Sequence, residues 1–317
     1  MIDTLHMRLS VEDLNAAKRL EQTMQNVSEH ALSLKDSKER IRGKHHNFHI
    51  SASQTSISAR GSLSRYYLGS NFLQLTKETT QMAIERLSDE LGFDFREANI
   101  SRLDIAGNLF MEMPFPYYKN CLGELSGATR GPILGKKGHS LYYSNSFKKL
   151  LFYDKGAEMK TKKGTQPLEI SNRQILRYEL SLHKNPRSYF KLNSLKAKDL
   201  YKPSVLMKQT DSWKSEYMKI KKDHGLIIDP NFEIKTKKDL ESFLEMAGIQ
   251  ALGGQQGTFQ ALQTHLSQGN DTTAVQKNRL NNKLEELCTP RPDFLLPNDY
   301  VEELNQKISS FNLDTHQ

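Results

Sequence analysis

Apolar and polar residues alternate with a period of two over several short stretches in the first two thirds of the chain. The alternation runs through residues 2–9, from Phe48 to Ala52, from Ile57 to Ala59 and from Ile100 to Phe110. A period of two is typical of a β-strand that buries one face, because successive side chains point to opposite sides. These stretches therefore predict the strands of a sheet.

One stretch between these strands follows the helical period instead. Thr76 is a favourable N-terminal cap, and Ile84, Leu87 and Leu91 fall on one helical face before Gly92. Glycine at this position is a typical C-terminal stop. The pattern predicts an amphipathic helix that begins at Thr76 and ends at Gly92.

A hairpin and a further strand are predicted after residue 140. Residues 141–143 and 150–155 flank the turn residues Ser144-Asn145-Ser146, and a strand pattern runs from Ile175 to Leu182. Residues 11–42, near the N-terminus, are charged and favour a helix.

From about residue 206 the strand pattern disappears and the helical period replaces it. The helical segments lie near residues 208–223, 236–247, 256–267, 272–288 and 298–310. We therefore predict an α+β fold. Residues 1–205 would form a catalytic domain, an antiparallel or mixed sheet with one polar, solvated face and helices on the other. Residues 206–317 would form a smaller helical domain for DNA binding or protein contacts.

Composition limits the classes of protein to which the chain can belong. A mean hydropathy of -0.65 with 26% charged residues is typical of a soluble protein, and no apolar run is long enough to cross a bilayer. The N-terminus lacks the apolar core of a signal peptide. Cys121 and Cys288 are too few for a disulfide framework or a thiolate zinc cluster. We therefore expect a cytoplasmic protein without membrane contacts.

An excess of positive charge favours a polyanionic partner. The chain carries 45 Lys and Arg against 37 Asp and Glu, which gives a net charge of +8. Lysines crowd several stretches, and Arg65 lies beside two tyrosines in a glycine-bounded segment. The candidate DNA contacts are Arg65, Lys136, Lys137, Lys148 and Lys149.

Three predicted strands place reactive side chains opposite their apolar residues. These side chains are Arg102 and Asp104, Tyr153 and Lys155, and Arg177 and Glu179. In a sheet with one solvated face such charges occur for solubility alone, and the two Arg-acid pairs would then be ion pairs of little energetic weight. Three strands that each contribute an acid, a base or a tyrosine nevertheless favour a catalytic site.

The residue types suit the cutting of a phosphodiester. A tyrosine hydroxyl keeps the phosphate as an ester, but its ordinary pKa of about 10 makes it a weak nucleophile at neutral pH. Asp104 and Glu179 are candidate ligands for a hard divalent cation that polarises the phosphate. Lys155, Arg102 and Arg177 are candidates to offset charge on the transition state.

Two further tyrosines are alternative nucleophiles. Tyr142 and Tyr143 are adjacent on the first hairpin strand, so one of them must share the face of Tyr153. The register of the turn decides which one, and the sequence leaves this open. Packing in the sheet is the simpler role for both.

The same residues carry a resemblance to a known family. The chain contains MID-x-L-x-x-RL at its N-terminus, SRLD at 101–104, YDK-x-x-E at 153–158 and RYE at 177–179. In their order and approximate spacing these motifs resemble the gene II/X replication proteins of filamentous phages and related plasmids. The resemblance covers about residues 1–185, and the ordered set is more specific than any single motif.

The resemblance implies an origin endonuclease and rejoining enzyme of the rolling-circle class, which works in a bacterial host cell. It implies Tyr153 as the catalytic tyrosine and places Lys155, Glu158, Asp104 and Glu179 at or beside the site, with Glu158 a further candidate metal ligand. The expected cofactor is Mg²⁺ or Mn²⁺. The expected partners are single-stranded and origin duplex DNA, and the host helicase and polymerase.

One departure concerns the histidines. Wider rolling-circle enzymes and relaxases hold a metal with two histidines separated by one residue, and His45, His46 and His49 do not have that spacing. We expect these side chains to be solvated or to contact phosphate, which leaves any metal to carboxylates and favours magnesium or manganese.

Two other classes of protein stay open. A nucleic-acid-binding module without catalysis would need the basic and aromatic residues, but not Asp104 and Glu179 together. A tyrosine recombinase would also form a phosphotyrosine, and Arg177, His183 and Arg187 resemble its arginine-histidine set. Metal dependence distinguishes these classes, because a recombinase needs no metal and a binding module forms no covalent adduct.

Overall fold

The structure is a computed structural model of the chain. It describes residues 2–11, 18–19, 22, 40–53, 55–131, 140–161, 173–222, 227–228, 233–252, 254–268, 273–288, 295–296 and 299–311. Most of the predicted helix at 11–42 lies outside these ranges, as do Lys136 and Lys137. The helix prediction is wrong for residues 40–42, which pair with a neighbouring strand.

The described strands form one antiparallel sheet of nine and a separate ribbon of two. The large sheet has the order β2-β3-β4-β1-β5-β9-β8-β7-β6, so β1 and β5 are central. Its strands are β1 (Ile2–Ser10), β2 (Arg40–His45), β3 (Phe48–Ser53), β4 (Ser56–Ser62), β5 (Asn99–Met111), β6 (Thr129–Arg130), β7 (Ser140–Ser144), β8 (Lys148–Asp154) and β9 (Gln174–Leu182). The ribbon pairs β10 (Ile227–Ile228) with β11 (Leu295–Leu296).

The described helices lie between the strands and dominate the C-terminal third. They are α1 (Leu63–Leu68), α2 (Lys77–Leu91), α3 (Phe115–Asn120), α4 (Lys155–Thr161), α5 (Pro186–Tyr189), α6 (Pro203–Met218), α7 (Lys237–Ala251), α8 (Gly254–Gln268), α9 (Ala274–Cys288) and α10 (Asp299–Ser310). In α2 the predicted caps are confirmed. The Thr76 side chain accepts from the Thr79 N–H, and Gly92 ends the helix at a φ of 67°. The predicted α+β class is confirmed.

One face of the sheet carries the hydrophobic core. Leu103, Ile105 and Leu109 of β5 are buried there, as the alternation predicts. Helix α6 packs on this face through Trp213, whose Nε1 donates to the Tyr178 carbonyl of β9 at 3.2 Å. The core therefore lies between the sheet and a layer of helices.

Helices from beyond residue 205 complete this core. Trp213 and Tyr217 of α6 are 0% exposed, and Phe311, which follows α10, packs against Trp213 with ring centroids 4.8 Å apart. The boundary predicted at residue 205 falls inside α6. The segments that contain α6 and α10 thus belong structurally with the sheet.

None of the described helices combines the length and the apolar character needed to cross a bilayer.

Candidate active site

The register of three neighbouring strands brings the predicted residues together on the sheet face opposite the core. Tyr153 of β8 pairs with Arg177 of β9, and Asp104 of β5 pairs with Ser181 of β9. Side chains at alternate positions share a face, so Glu179 lies on this same side. We call this set of side chains the polar site.

Tyr153 and Glu179 are in direct contact. The Tyr153 hydroxyl donates to Glu179 Oε1 at 3.1 Å, and Arg177 Nε donates to the same oxygen at 2.6 Å. Burial, reinforced by the Glu179 carboxylate, raises the pKa of Tyr153 well above its ordinary value. The hydroxyl is therefore neutral at physiological pH and is bonded to a carboxylate that can accept its proton.

Arg177 joins three strands. Its Nη2 donates to Asp3 Oδ2 of β1 at 2.8 Å, across β5, and its Nη1 donates to the Asn108 side chain at 3.1 Å. Burial disfavours the guanidinium charge, but Glu179 and Asp3 outweigh burial and raise the pKa of Arg177. This arginine is thus a fixed cation beside Tyr153.

Asp3 was not among the predicted site residues. The register of β1 against β5 shifts between Ile2 and Leu5, because Ile2 pairs with Ile105 and Leu5 with Leu103. Such a bulge re-aims a side chain, and here the Asp3 carboxylate meets Arg177. In the sequence, the only sign of a role for Asp3 is its place in the N-terminal motif. Asp3 and Arg177 are far apart along the chain, so the sequence gives no indication of their contact.

Lys155 occupies a different element from the predicted one. The strand ends at Asp154, and Lys155 is the first residue of α4. Its Nζ donates to Glu158 Oε2 at 2.6 Å and to Asn71 Oδ1 at 2.9 Å, and lies 5.9 Å from the centre of the Tyr153 ring. The turn into the helix thus keeps the ammonium beside Tyr153.

The prediction of a solvated face is wrong for this part of the sheet. Asp104, Lys155 and Arg177 are only 4%, 1% and 2% exposed. The segment that follows α1 covers Arg177 and Lys155, because Asn71 accepts from both of them. The next carbonyl of this segment, that of Phe72, accepts from Asn108 Nδ2. The site is therefore a partly enclosed polar cluster.

Arg102 and Asp104 form a two-point ion pair. Arg102 Nε and Nη2 donate to the two Asp104 oxygens at 2.9 and 2.7 Å. Burial raises the pKa of Asp104 although Arg102 favours its charged form. Arg102 itself is half-exposed at the edge of the site.

The donor set of the polar site has the atom type that a divalent cation needs. Its oxygen donors are of the type that Mg²⁺ and Mn²⁺ prefer. Among the described side chains in or beside the site, four acids and three bases give an excess of one negative charge before any phosphate binds. They are Asp3, Asp104, Glu158 and Glu179 with Arg102, Lys155 and Arg177. The donor type thus fits a cation, but each of these acids is held by a base of the chain, and no three of them bring ligand atoms within 4.8 Å of one another.

One group of described side chains, outside the polar site, has metal-ligand spacing. Among the described residues, the potential ligand atoms of His45, His46 and Glu90 lie within 4.8 Å of one another. Glu90 also accepts from Tyr66 at 2.6 Å and from Arg86 at 2.7 Å, which satisfies it without an ion. The expectation of a solvated His45 is wrong, because this ring is 3% exposed and bonded to Glu90 at 2.6 Å.

The hairpin register distinguishes the two alternative nucleophiles. Tyr142 pairs with Leu151, and Ser140 pairs with Tyr153, so Tyr142 lies on the face of the polar site. Lys149 Nζ lies 4.8 Å from the centre of the Tyr142 ring. Tyr143 is 0% exposed on the core face, where burial raises its pKa to about 12. Of the two, Tyr142 shares the side of Tyr153.

The remaining predicted DNA contacts do not gather at the site. Lys148 points to the core face and its Nζ donates to Glu216 Oε2 of α6 at 2.6 Å, whereas Lys149 lies on the polar face. Arg65 is exposed on α1.

The recombinase-like set is dispersed as well. His183 contacts the Asn145 carbonyl and Arg187 the Asn193 carbonyl, while Arg177 is inside the polar site.

Comparison with known proteins adds the family. A sequence model that describes the N-terminal region of the phage replication-associated protein of gene II matches residues 1–215 of the chain. This span contains every residue of the polar site and most of the core helix α6. The chain belongs to the gene II replication protein family. As a gene II protein it is a phage replication initiator, which confirms the resemblance seen in the motifs. No curated protein matches the chain at a significant level.

Proposed function

We propose that this gene II protein starts replication by nicking one DNA strand with Tyr153 and holding the cut end as a 5′-phosphotyrosine. The contact from the Tyr153 hydroxyl to Glu179 Oε1 at 3.1 Å carries the proposal. It pairs a nucleophile with a proton acceptor at the distance that general base catalysis requires. Family membership supplies the DNA context.

In the proposed step, Tyr153 Oη attacks the scissile phosphorus as Glu179 accepts the hydroxyl proton. The bond from phosphorus to the 3′ oxygen breaks, and that oxygen takes up a proton to become a 3′-hydroxyl. Arg177 and Lys155 offset the negative charge that builds on the phosphate oxygens. The free 3′-hydroxyl primes the host polymerase while a host helicase opens the duplex, and a later 3′-hydroxyl attacks the phosphotyrosine to close a circle.

A requirement for Mg²⁺ or Mn²⁺ is part of the proposal. Asp104 and Glu179, with Asp3 beside them and Glu158 at the edge, would hold the ion, and their excess of negative charge supports this assignment. When bound, the ion would polarise the phosphate oxygens. Nicking should therefore stop in EDTA and recover on addition of Mn²⁺.

The test compares three variants on single-stranded oligonucleotides from the replicon. Tyr153→Phe should eliminate the denaturation-resistant protein-DNA adduct, because it removes the attacking oxygen and keeps the ring. Tyr142→Phe, on the same face, and Tyr143→Phe, on the core face, should at most slow adduct formation. Denaturing gels measure the adduct, and peptide mapping identifies the linked tyrosine.

Two results would count against the proposal. A linked peptide that contains Tyr142 would move the nucleophile to β7 and leave initiation by nicking intact. The absence of an adduct on every replicon strand, with metal present, would favour a binding module without catalysis.

A further inference from the structure

A second region of the same sheet face lies on β1 to β4, next to the polar site. It is an open cleft of about 500 Å³. Its polar lining consists of His6, Arg8, Arg42, His49, Ser51, Ser53, Ser56, Ser58 and Arg60. We call this region the arginine-serine cleft.

The charged side chains that line the cleft are all basic. No carboxylate is among the lining residues that the structure describes. Arg8, Arg42 and Arg60 are exposed, and within the described ranges none of them forms an ion pair with an acid. By contrast, Arg102 and Arg177 of the polar site are each held by acids. Among the described residues, the cleft therefore presents guanidinium groups without an acidic partner, which suits an anionic ligand.

The cleft is continuous with the polar site. His6 of β1 pairs with Arg102 of β5 on one side and with Arg60 of β4 on the other, and Arg60 pairs in turn with His49 of β3. Burial and the charges of Arg60, Arg102 and Arg8 lower the pKa of His6. The three guanidinium groups therefore lie near the same imidazole. Strand β8, which carries Tyr153, is the third strand from β1 in the sheet. Since neighbouring strands lie about 4.8 Å apart, β1 is about 14 Å from β8.

We propose that the arginine-serine cleft binds the single-stranded DNA that leads away from the scissile phosphate. Arg8, Arg42 and Arg60 would contact successive phosphates, and the serine hydroxyls would donate to phosphate oxygens. Guanidinium and hydroxyl donors to phosphate position a strand without reading its sequence. This inference rests on the proposed function, because a strand cut at Tyr153 must extend across the sheet in one direction or the other.

The test measures binding rather than cutting. A fluorescein-labelled mixed-sequence single strand of roughly 20 nucleotides is titrated with the full chain at several salt concentrations, and anisotropy gives the affinity. Each phosphate contact contributes about 0.7 to the log-log salt slope on single strands. Arg42→Gln with Arg60→Gln should therefore lower the slope by about 1.4.

A matched control removes the same charge elsewhere. Lys77→Gln with Arg96→Gln alters exposed residues of α2 and of the turn after it, outside the cleft. The control should keep the slope of the wild type. Arg42→Lys with Arg60→Lys should keep most of it too, and shows whether loss of binding follows charge or folding.

The outcomes separate this inference from the proposed function. An unchanged slope in the Gln double variant, or an equal fall in the control, would overturn the cleft as the strand site. A slope lowered only on a duplex of the same sequence would overturn the assignment to a single strand. Tyr153→Phe should keep the full slope, so a failure of the covalent chemistry leaves this result unaffected.

Discussion

Glu179 shows how one side chain of the polar site serves two neighbours. Its Oε1 accepts from both Tyr153 and Arg177, so the carboxylate is aligned with the phenol by a buried cation. An amide of the same size could keep a hydrogen bond to either neighbour but is a poor proton acceptor.

Glu179→Gln should therefore slow adduct formation by about 10²- to 10⁴-fold, the range for loss of a general base. DNA binding, measured by anisotropy, should change little because no positive charge is removed. Glu85→Gln, on the surface of α2, is a matched control and should keep full activity. Normal adduct formation by Glu179→Gln would remove the carboxylate from the mechanism.

Glu90 is a second residue whose environment has a measurable consequence. Burial opposes its charge, but hydrogen bonds from Tyr66, Arg86 and His45 prevail and lower its pKa to about 2. A carboxyl whose pKa is depressed in the folded state stabilises the protein above its ordinary value of 4.5. That contribution is lost as the pH falls from about 5 towards 2.

Glu90→Gln should lower the free energy of unfolding at pH 7 by about 1.5–3 kcal/mol, as expected for hydrogen bonds to a charged group. The difference in the free energy of unfolding between Glu90→Gln and the wild type should become smaller as the pH falls towards the lowered pKa of about 2. Urea denaturation at several pH values measures it. A difference that is constant with pH would show that the charge of Glu90 contributes nothing.

At the scale of elements, the sheet and the last helix meet at a glycine. A Cβ atom at Gly107 of β5 would lie 2.9 Å from both the Phe311 and the Trp213 rings. Strand β5, helix α6 and the residue after α10 thus approach one another more closely than a side chain permits. The interface depends on a position without a side chain.

Gly107→Ala should destabilise the protein by about 1–3 kcal/mol through overpacking. Gly248→Ala is the matched control, since a Cβ there meets nothing within 4 Å inside helix α7. Gly248→Ala should leave the stability of the protein unchanged or raise it, because alanine favours a helix more than glycine does. Thermal unfolding of both variants checks the difference, and equal melting temperatures would contradict the close contact.

At the scale of the whole molecule, the C-terminal helices divide into two groups. Helix α10 packs on the core through Val301, Leu304 and Ile308. Helices α7, α8 and α9 contact one another. The ribbon brackets the segment that contains α7, α8 and α9, because Ile228 pairs with Leu295.

Residues 229–294 should therefore be replaceable by an Asn-Gly turn, which joins paired strands with two residues. The shortened protein should fold and form the adduct on a single strand, but bind origin duplex more weakly, in line with the role predicted for the helical region. A chain that ends at residue 298 should instead lose stability, because α10 is missing. Unfolding curves and duplex titrations distinguish the two, and unchanged duplex binding by the shortened protein would remove that role.

The sequence by itself determined the elements and their faces. The period of two predicts β1, β3, β4, β5 and β9, and Thr76 with Gly92 predicts the ends of α2. These signals are local, because side-chain direction along a strand and caps at helix ends depend on adjacent residues. The polar face with Asp104, Tyr153 and Glu179 follows from the same alternation.

Only the tertiary structure decided which residues meet. The contact of Asp3 with Arg177, the choice of Tyr142 over Tyr143 for the polar face and the burial of Lys155 depend on register and on a covering segment. Helical periodicity likewise predicts α6 but not that Trp213 packs on the sheet. The physical reason is that strand register and packing partners join residues distant in sequence, so a local pattern contains no information about them.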